Sequence, residues 1–468
     1  MARKTASRAD DTDARFYEMT QAPLGRTIVR LAVPSTVANI VTVTYNLTDT
    51  FYVGCVGTAA VAAAGVVMPL TVILKSIGLM FGMGSANRMS VALGKKNQDF
   101  AERLASNGFF TTLFVAAIIA AVAICLRDPL AVVLGSTRTI APLAIAYMLP
   151  LLIVAPLNCA TYVLNALLRF QGLAKESMIG LASGAIINIG LEPVFIFALH
   201  WGMIGAGSAT AVCQVISFCL LLGLYRRHSV VPIRLSHYRL DGEVFHQIIA
   251  GGLPSLLRNW MRALGMDVLD LAANPYGDAA IAAMTIVNRI VTVSNSIRGG
   301  FGQGYQPVCG YNYGAKNYKR VTKGYWLVIR ASFVVLGAIA IAQSVWAAPI
   351  IRAFQSNPAV VAYGVPALRW QSLTLPFTTI IVTFNMLSQT LGYTFISSFV
   401  GSGRRGIFLI PILLILPHFL GFTGVMVAQP LADILALLLA LPYQSYILRR
   451  LDKGLGGKLE RKPEKNHG

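Results

Sequence analysis

Long apolar runs separated by short polar stretches recur along the whole chain. Each holds about 18 residues or more, enough to cross a bilayer core of about 30 Å as a helix. No segment between them is long enough for a soluble domain. Twelve spans are expected, near residues 28–52, 58–84, 105–126, 138–168, 176–199, 203–225, 247–272, 278–304, 326–348, 358–388, 404–420 and 423–448. Pro411 and Pro417 interrupt the eleventh, and a proline inside a helix removes a backbone donor.

An internal repeat organises these spans. "LAVPS" at 31–35 aligns with "GGLPS" at 251–255, and "GTAAVAAA" at 57–64 with "GDAAIAAM" at 277–284. "FGMG" at 81–84 aligns with "FGQG" at 301–304, and "GKKN" at 94–97 with "GAKN" at 314–317. Pro34 thus pairs with Pro254, Pro156 with Pro376, Asn165 with Asn385 and Gly172 with Gly392, every pair 220 residues apart. Six spans per repeat is an even number, so both halves enter the membrane from the same side. Parallel repeats of this kind are expected to form two lobes around a central cavity. The polar segment 226–246 would link an N-lobe (26–225) to a C-lobe (247–450), with tails at 1–25 and 451–468. The expected fold is all-α and integral to the membrane: twelve transmembrane helices in two parallel six-helix repeats.

Composition fits lipid as the solvent. Of 468 residues, 55% are hydrophobic and only 12% charged, about half the charged share of a soluble domain. A net charge of +20 would suggest nucleic acid in a soluble chain, but the basic residues fall in alternate loops. Arg88, Lys95, Lys96 and Arg103 follow span 2, Arg169 and Lys175 span 4, and Arg226, Arg227, Arg234 and Arg239 span 6. Lys316, Lys319, Arg320 and Lys323 follow span 8, Arg404 and Arg405 span 10, and the tail from Arg449 is basic. The opposite loops hold little beyond Arg127, Arg138 and Arg352. The positive-inside rule then places both termini in the cytoplasm, and no nucleic-acid partner is expected. The six cysteines form no C-x-x-C pair and read as reduced core residues rather than a zinc site or disulfide framework. The first 25 residues lack an apolar h-region, so no cleavable signal peptide is expected.

Charges inside the spans carry the candidate chemistry. In "GLASGAIINIGLEPVFIFAL" (180–199), Glu192 is the one ionisable group, with Asn188 one helical turn earlier. A charge at mid-membrane costs roughly 2.5–3.5 kcal/mol, so Glu192 should be protonated or paired with a cation. Pro193 frees a carbonyl that could serve an ion site. The plainer alternative is a protonated glutamate in a fixed helix–helix hydrogen bond. In span 1, Asn39, Thr42, Asn46 and Asp49 form a polar stripe on one face, which should meet a cavity or a neighbouring span rather than lipid. The plainer alternative there is an aspartate at the water boundary.

The repeat separates the two kinds of residue. Adding 220 to Asp49 and Glu192 gives Leu269 and Ile412, so the acids belong to the N-lobe alone, although Asp270 lies one residue from the first equivalent. Asn165 has a twin in Asn385, which makes a packing role common to both lobes its alternative. Asp433 in span 12 has no visible partner, and Asp267 and Asp270 share span 7 with Arg258 and Arg262. Lys75 could snorkel or pair with an N-lobe acid. Arg289, Arg298 and Arg369 make the C-lobe spans the more basic. No G-x-x-x-x-G-K-[ST], H-E-x-x-H or Ser/His/Asp arrangement occurs, so ATP binding and enzymatic catalysis are not expected. A carrier without a nucleotide site draws on an ion gradient. One charge moving through 100 mV releases about 2.3 kcal/mol.

"VPSTVANIVTVTYNLTDTFYVGCVGTAAVAAAGVVMPL", "LNALLRFQG", "NIGLEPVFIF" and "GFGQGYQPVCGYNYGAKNYKR" resemble the multidrug and toxic compound extrusion (MATE) family, in its bacterial, DinF-like branch. The resemblance covers about residues 25–450. It implies a cytoplasmic-membrane antiporter that exports amphipathic organic compounds in exchange for H⁺ or Na⁺ by alternating access. It further implies no ATP, no cofactor beyond the coupling ion, a lipid environment and a monomer. By motif, the span 1 aspartate maps to Asp49, the span 5 pair to Asn188 and Glu192, and the span 6 "SAT" threonine to Thr210. These four are the expected ion-coupling residues, and the expected ligands should the ion be Na⁺. Thr42, Tyr45, Asn46 and Asn165 are the expected substrate-binding residues. Two departures stand out: Glu192 replaces the usual aspartate, and Arg262 occupies the place of an acid used by another branch. The alternative is a flippase for lipid-linked precursors, whose anionic head groups would suit the basic C-lobe. A membrane-embedded transferase would need a catalytic cluster at one interface.

Overall fold

The computed structural model describes residues 2–239, 241–457 and 459; Met1, Leu240, Lys458 and residues 460–468, ten of them in the expected basic tail, lie outside the described residues. Those described are helical, with no strand among them. In chain order the helices are α1 (Ala2–Thr20), α2 (Leu24–Val56), α3 (Thr58–Gly94), α4 (Gln98–Cys125), α5 (Arg127–Val133), α6 (Ala141–Phe170), α7 (Ala174–Pro193) and α8 (Gly202–His228). There follow α9 (Gly242–Ala273), α10 (Asp278–Gly314), α11 (Tyr318–Val345), α12 (Ala347–Phe354), α13 (Pro358–Thr374), α14 (Thr378–Thr390), α15 (Thr394–Ser402), α16 (Leu409–Leu420) and α17 (Phe422–Asp452). Short π-helical segments, Val194–Ala198 and Gly403–Ile407, extend α7 and join α15 to α16.

Ten helical segments among the described residues are long and apolar enough to cross a membrane. The other two expected spans fall short for visible reasons. Helix α9 carries Arg258, Arg262, Asp267 and Asp270, and the tenth span is divided between α13 and α14 at Pro376. With these two, the architecture is the twelve-helix, two-repeat one. The segment read from sequence only as a polar tail, 1–25, contains the 19-residue α1, Ala2–Thr20.

One sequence reading is corrected. The eleventh span runs over Thr394–Leu420, so Arg404 and Arg405 lie inside it and are not a cytoplasmic loop. The glycines and serines of "SSFVGSGRRG" mimic a loop. Within the span Arg404 is buried against Asp433, at 2.5 Å from Nε to Oδ1. Asp433 therefore has a partner that spacing alone did not reveal.

The repeat recurs in the backbone. Lys96 and Lys316 both adopt left-handed conformations, φ 58° and 60°, as do Gly172 and Gly392, φ 87° and 84°. The chain forms two compact units: residues up to Gln21 with Val33–Gly252, and Ala22–Ala32 with the chain from Leu253 onward. The changeovers fall one or two residues before Pro34 and Pro254. Each unit thus holds the first turns of the other repeat's leading helix. Glycines make room for them. A Cβ on Gly84 would run into the Ile248 carbonyl of α9, and one on Gly304 would sit 2.8 Å from the Ile28 carbonyl of α2. The "FGMG" and "FGQG" glycines are therefore close-packing positions, as small residues at membrane helix contacts generally are.

Gly252→Ala tests this packing, because the added methyl would overlap the Met80 carbonyl. Overpacking should cost about 1–3 kcal/mol and lower the unfolding temperature of the purified protein. Gly54→Ala, with open space around its Cβ, should leave that temperature unchanged.

Candidate functional site

The site lies within the unit that holds Val33–Gly252, where α2, α6, α7 and α8 converge. Helices α7 and α8 approach closely because small residues face each other. A Cβ on Gly184 would sit 2.8 Å from Ser217 Cβ, and Ser217 Oγ donates to the Gly180 carbonyl at 2.8 Å. On the other side of α8, a Cβ on Gly207 would strike the Tyr147 carbonyl of α6. That approach carries Thr210, one turn further along α8, to Asn188 of α7, whose Nδ2 donates to Thr210 Oγ1 at 3.2 Å.

Glu192, one turn beyond Asn188, is fully buried, and Asn188 and Thr210 nearly so. Its carboxyl faces that of Asp49 on α2 within hydrogen-bond reach. Among the described residues, no protein donor serves Asp49 Oδ1, either Glu192 oxygen or Asn188 Oδ1. Two ionised carboxylates are both acceptors, so their contact is a hydrogen bond only when one carries a proton. These four buried oxygens on three side chains also match the all-oxygen ligand set of a hard cation. The arrangement therefore has room for one positive charge, as a proton or as a small cation among the oxygens.

The structure brings together Asp49, Asn188, Glu192 and Thr210, the four expected ion-coupling residues. Tyr45 joins them through a hydrogen-bond contact with Thr210, while the Thr42 hydroxyl bonds back to its own helix at Ala38 O, 2.8 Å. Asn46 is exposed. Asn165 sits elsewhere, with Nδ2 2.5 Å from Ser177 Oγ, which ties α6 to α7. Asn385 makes the matching ties to Ser397 in the second unit, so this pair has the packing role common to both repeats. Lys75 Nζ lies 5.9 Å from the Tyr162 ring centroid.

Three neighbours escaped the sequence reading. Tyr147 of α6 lies within electrostatic range of both acids, and Cys213 lies against Asn188. The third is Tyr52, whose hydroxyl donates to the Ile189 carbonyl at 3.3 Å. In a regular helix that carbonyl would receive the N–H of residue 193, which a proline lacks. The carbonyl freed by Pro193 is thus taken by Tyr52, three residues from Asp49 on the same helix. A signal for Tyr52 was present: a freed carbonyl at membrane depth needs a donor, and Tyr52 is on the Asp49 face of α2.

Comparison with known proteins places the chain. The MatE family profile matches residues 34–194 and 254–412, one stretch in each repeat. The chain is 23% identical over 441 residues to the multidrug export protein MepA of Staphylococcus saprophyticus, covering 92% of this chain and 95% of that one. It is 24% identical over 453 residues to MepA of Staphylococcus aureus, covering 93% and 97%. Among solved structures it is similar to a MATE protein in complex with MaL6, with a TM-score of 0.88 and 23% identity over 94% of this chain and 99% of that one.

The Tyr52–Pro193 relation yields a double-mutant test. Tyr52→Phe leaves the Ile189 carbonyl unpaired and should destabilise by about 1–3 kcal/mol. In a Pro193→Ala background residue 193 regains its N–H, so the same change should cost much less. Equal costs in both backgrounds, measured by chemical unfolding in detergent, would refute the assignment.

Proposed function

The chain belongs to the MatE family, whose members are transporters rather than enzymes, and on that footing we propose that it is an ion-coupled exporter of amphipathic organic compounds in the cytoplasmic membrane. The observation that carries this reading is the contact of the buried Glu192 with the half-buried Asp49, two acids that need one positive charge between them and occur in one repeat only. The likeness to MepA proteins over almost the full length supports drugs and related amphipaths as cargo.

In the proposed cycle, a proton or Na⁺ entering between Asp49 and Glu192 relieves the repulsion of two ionised carboxyls, which at membrane depth is large. Asn188 and Thr210 orient the site, and Na⁺ would additionally take Asn188 Oδ1. Charge at Asp49 is read out along α2, whose Pro34 lies beside the changeover at Ala32/Val33 and lacks the N–H that would stiffen the helix there. Thr42, Tyr45 and Asn46, on the stretch between Pro34 and Asp49, are the proposed substrate contacts. Antiport follows if ion and cargo favour different states of α2, because each ligand shifts the equilibrium only by its differential affinity. The orientation, with both termini cytoplasmic, rests on the distribution of basic residues between loops.

Reconstitution in liposomes with ethidium as cargo tests this reading, with ΔpH and ΔNa⁺ imposed separately. One gradient should drive export and name the ion. Glu192→Gln and Asp49→Asn should each lower the gradient-driven rate about tenfold or more, the scale of a coupling of 1–3 kcal/mol. Normal rates in both variants would refute the coupling role. No export under either gradient would favour the lipid-linked flippase.

A further inference from the structure

The second unit contains a buried polar centre of opposite sign. Arg404 of the Gly403–Ile407 π-helical segment grips Asp433 of α17 with Nε to Oδ1 at 2.5 Å and Nη2 to Oδ2 at 3.3 Å. Gln429 Nε2 adds a bond to Oδ1 at 3.1 Å and Thr374 Oγ1 one to Oδ2 at 3.3 Å, so both carboxylate oxygens are occupied. Arg298 of α10 and Arg405 lie within electrostatic range of this pair. Arg298 is 93% buried, and its Nη1 donates to Thr378 Oγ1 at 2.5 Å while its Nε has no partner. Three guanidiniums thus share one carboxylate that Arg404 already uses.

The depth makes the imbalance costly. At about 1.5 Å per residue, Arg404 lies about 15 Å along its span from Thr394, and Asp433 about 16 Å along α17 from Phe422. Cations at such depth face a bundle interior, pair with something and mark functional paths. The repeat shows that these side chains are additions. Subtracting 220 from Arg298, Arg404, Arg405 and Asp433 gives Gly78, Gly184, Ala185 and Cys213, all small and uncharged, and the two glycines serve close helix packing in the first unit. The π-helical turn that presents Arg404 and Arg405 is itself a device found mostly at functional sites.

We propose that this centre, Arg298 with Arg404 and Arg405, binds the oxyanion group of an amphipathic ligand: a carboxylate, sulfonate or phosphate. The planar guanidinium fork matches an oxyanion with two parallel bonds and is less strongly hydrated than an ammonium. The unpartnered Arg298 Nε supplies a donor, and the two guanidiniums in excess supply the charge. The inference deepens the exporter reading and rests on it: cargo would include zwitterionic or anionic amphipaths as well as cations. A phospholipid head group offers the same chemistry.

A matched pair of dyes tests it. Rhodamine 110 carries a free carboxylate, and rhodamine 123 is its methyl ester. Binding to the purified full-length protein, followed by fluorescence anisotropy in detergent, should weaken about tenfold or more for rhodamine 110 in Arg298→Gln, the scale of one charge-assisted bond. Binding of rhodamine 123 should change less than about twofold, and Arg298→Lys should keep part of the rhodamine 110 affinity. Arg405→Gln removes one of the two excess charges and replaces Arg298→Gln if that protein cannot be purified. Loss of rhodamine 110 export from liposomes in the same variants supports the site with exported cargo as the anion's source. Displacement of rhodamine 110 by dioctanoyl phosphatidylglycerol, without rhodamine 110 export, supports the site with a lipid head group as the source. Equal weakening of both dyes, or of neither, overturns it. Failure of wild type to export rhodamine 123 would sink the exporter reading alone, because the binding comparison does not depend on transport.

Discussion

Water is absent at membrane depth, so a charge there must bring its own compensation, and much of the structure around the polar centres follows from that. Among the described residues, Asp49 Oδ1 and both Glu192 carboxyl oxygens accept from no protein donor. Asp433 is compensated permanently, by Arg404 at salt-bridge distance and by Gln429 and Thr374. One carboxyl is thus a fixed structural element, and the other two are the pair on which the proposed ion coupling rests. A buried pair such as Arg404–Asp433 adds little net stability, yet leaving either partner alone is strongly unfavourable.

The same constraint governs the uncharged backbone. Pro193 takes a donor away from Ile189, and Tyr52 restores one from a different helix. A defect in α7 therefore becomes a tether to α2 beside the acid pair. Asn188 and Thr210 tie α7 to α8 in turn. Glycines bring these helices near enough for short side chains to meet, and the Gly184–Ser217 and Gly207–Tyr147 approaches bring α7 and α6 against α8, where Asn188 meets Thr210.

Much of this was legible in the sequence. Hydrophobic run length gave the spans, and the constant offset of 220 gave the parallel repeat. Asymmetry between the repeats picked out Asp49 and Glu192 as candidates, and the twin of Asn165 raised packing as the alternative to its expected substrate contact. What could not be read were relations set by tertiary proximity. Arg404 looked like loop chemistry because its partner is 29 residues away on another helix. Tyr147 was one tyrosine in an apolar span, with nothing local to point at the acids. The break at Pro376 and the helix in the N-terminal segment also depend on what packs nearby rather than on the segment's own pattern.

The changeovers beside Pro34 and Pro254 bear on the history of the chain. Neither repeat's sequence contains a complete unit: residues 242–252 pack at Gly84 of the first, and Ile28 and Ala32 pack at Gly304 of the second. A solitary six-span copy would therefore leave one groove empty and one helical segment unhoused. It would satisfy both by exchanging leading helices with another copy of itself. With this packing, a six-span copy would be complete only as a swapped pair, and joining two copies in one chain supplies both partners at once.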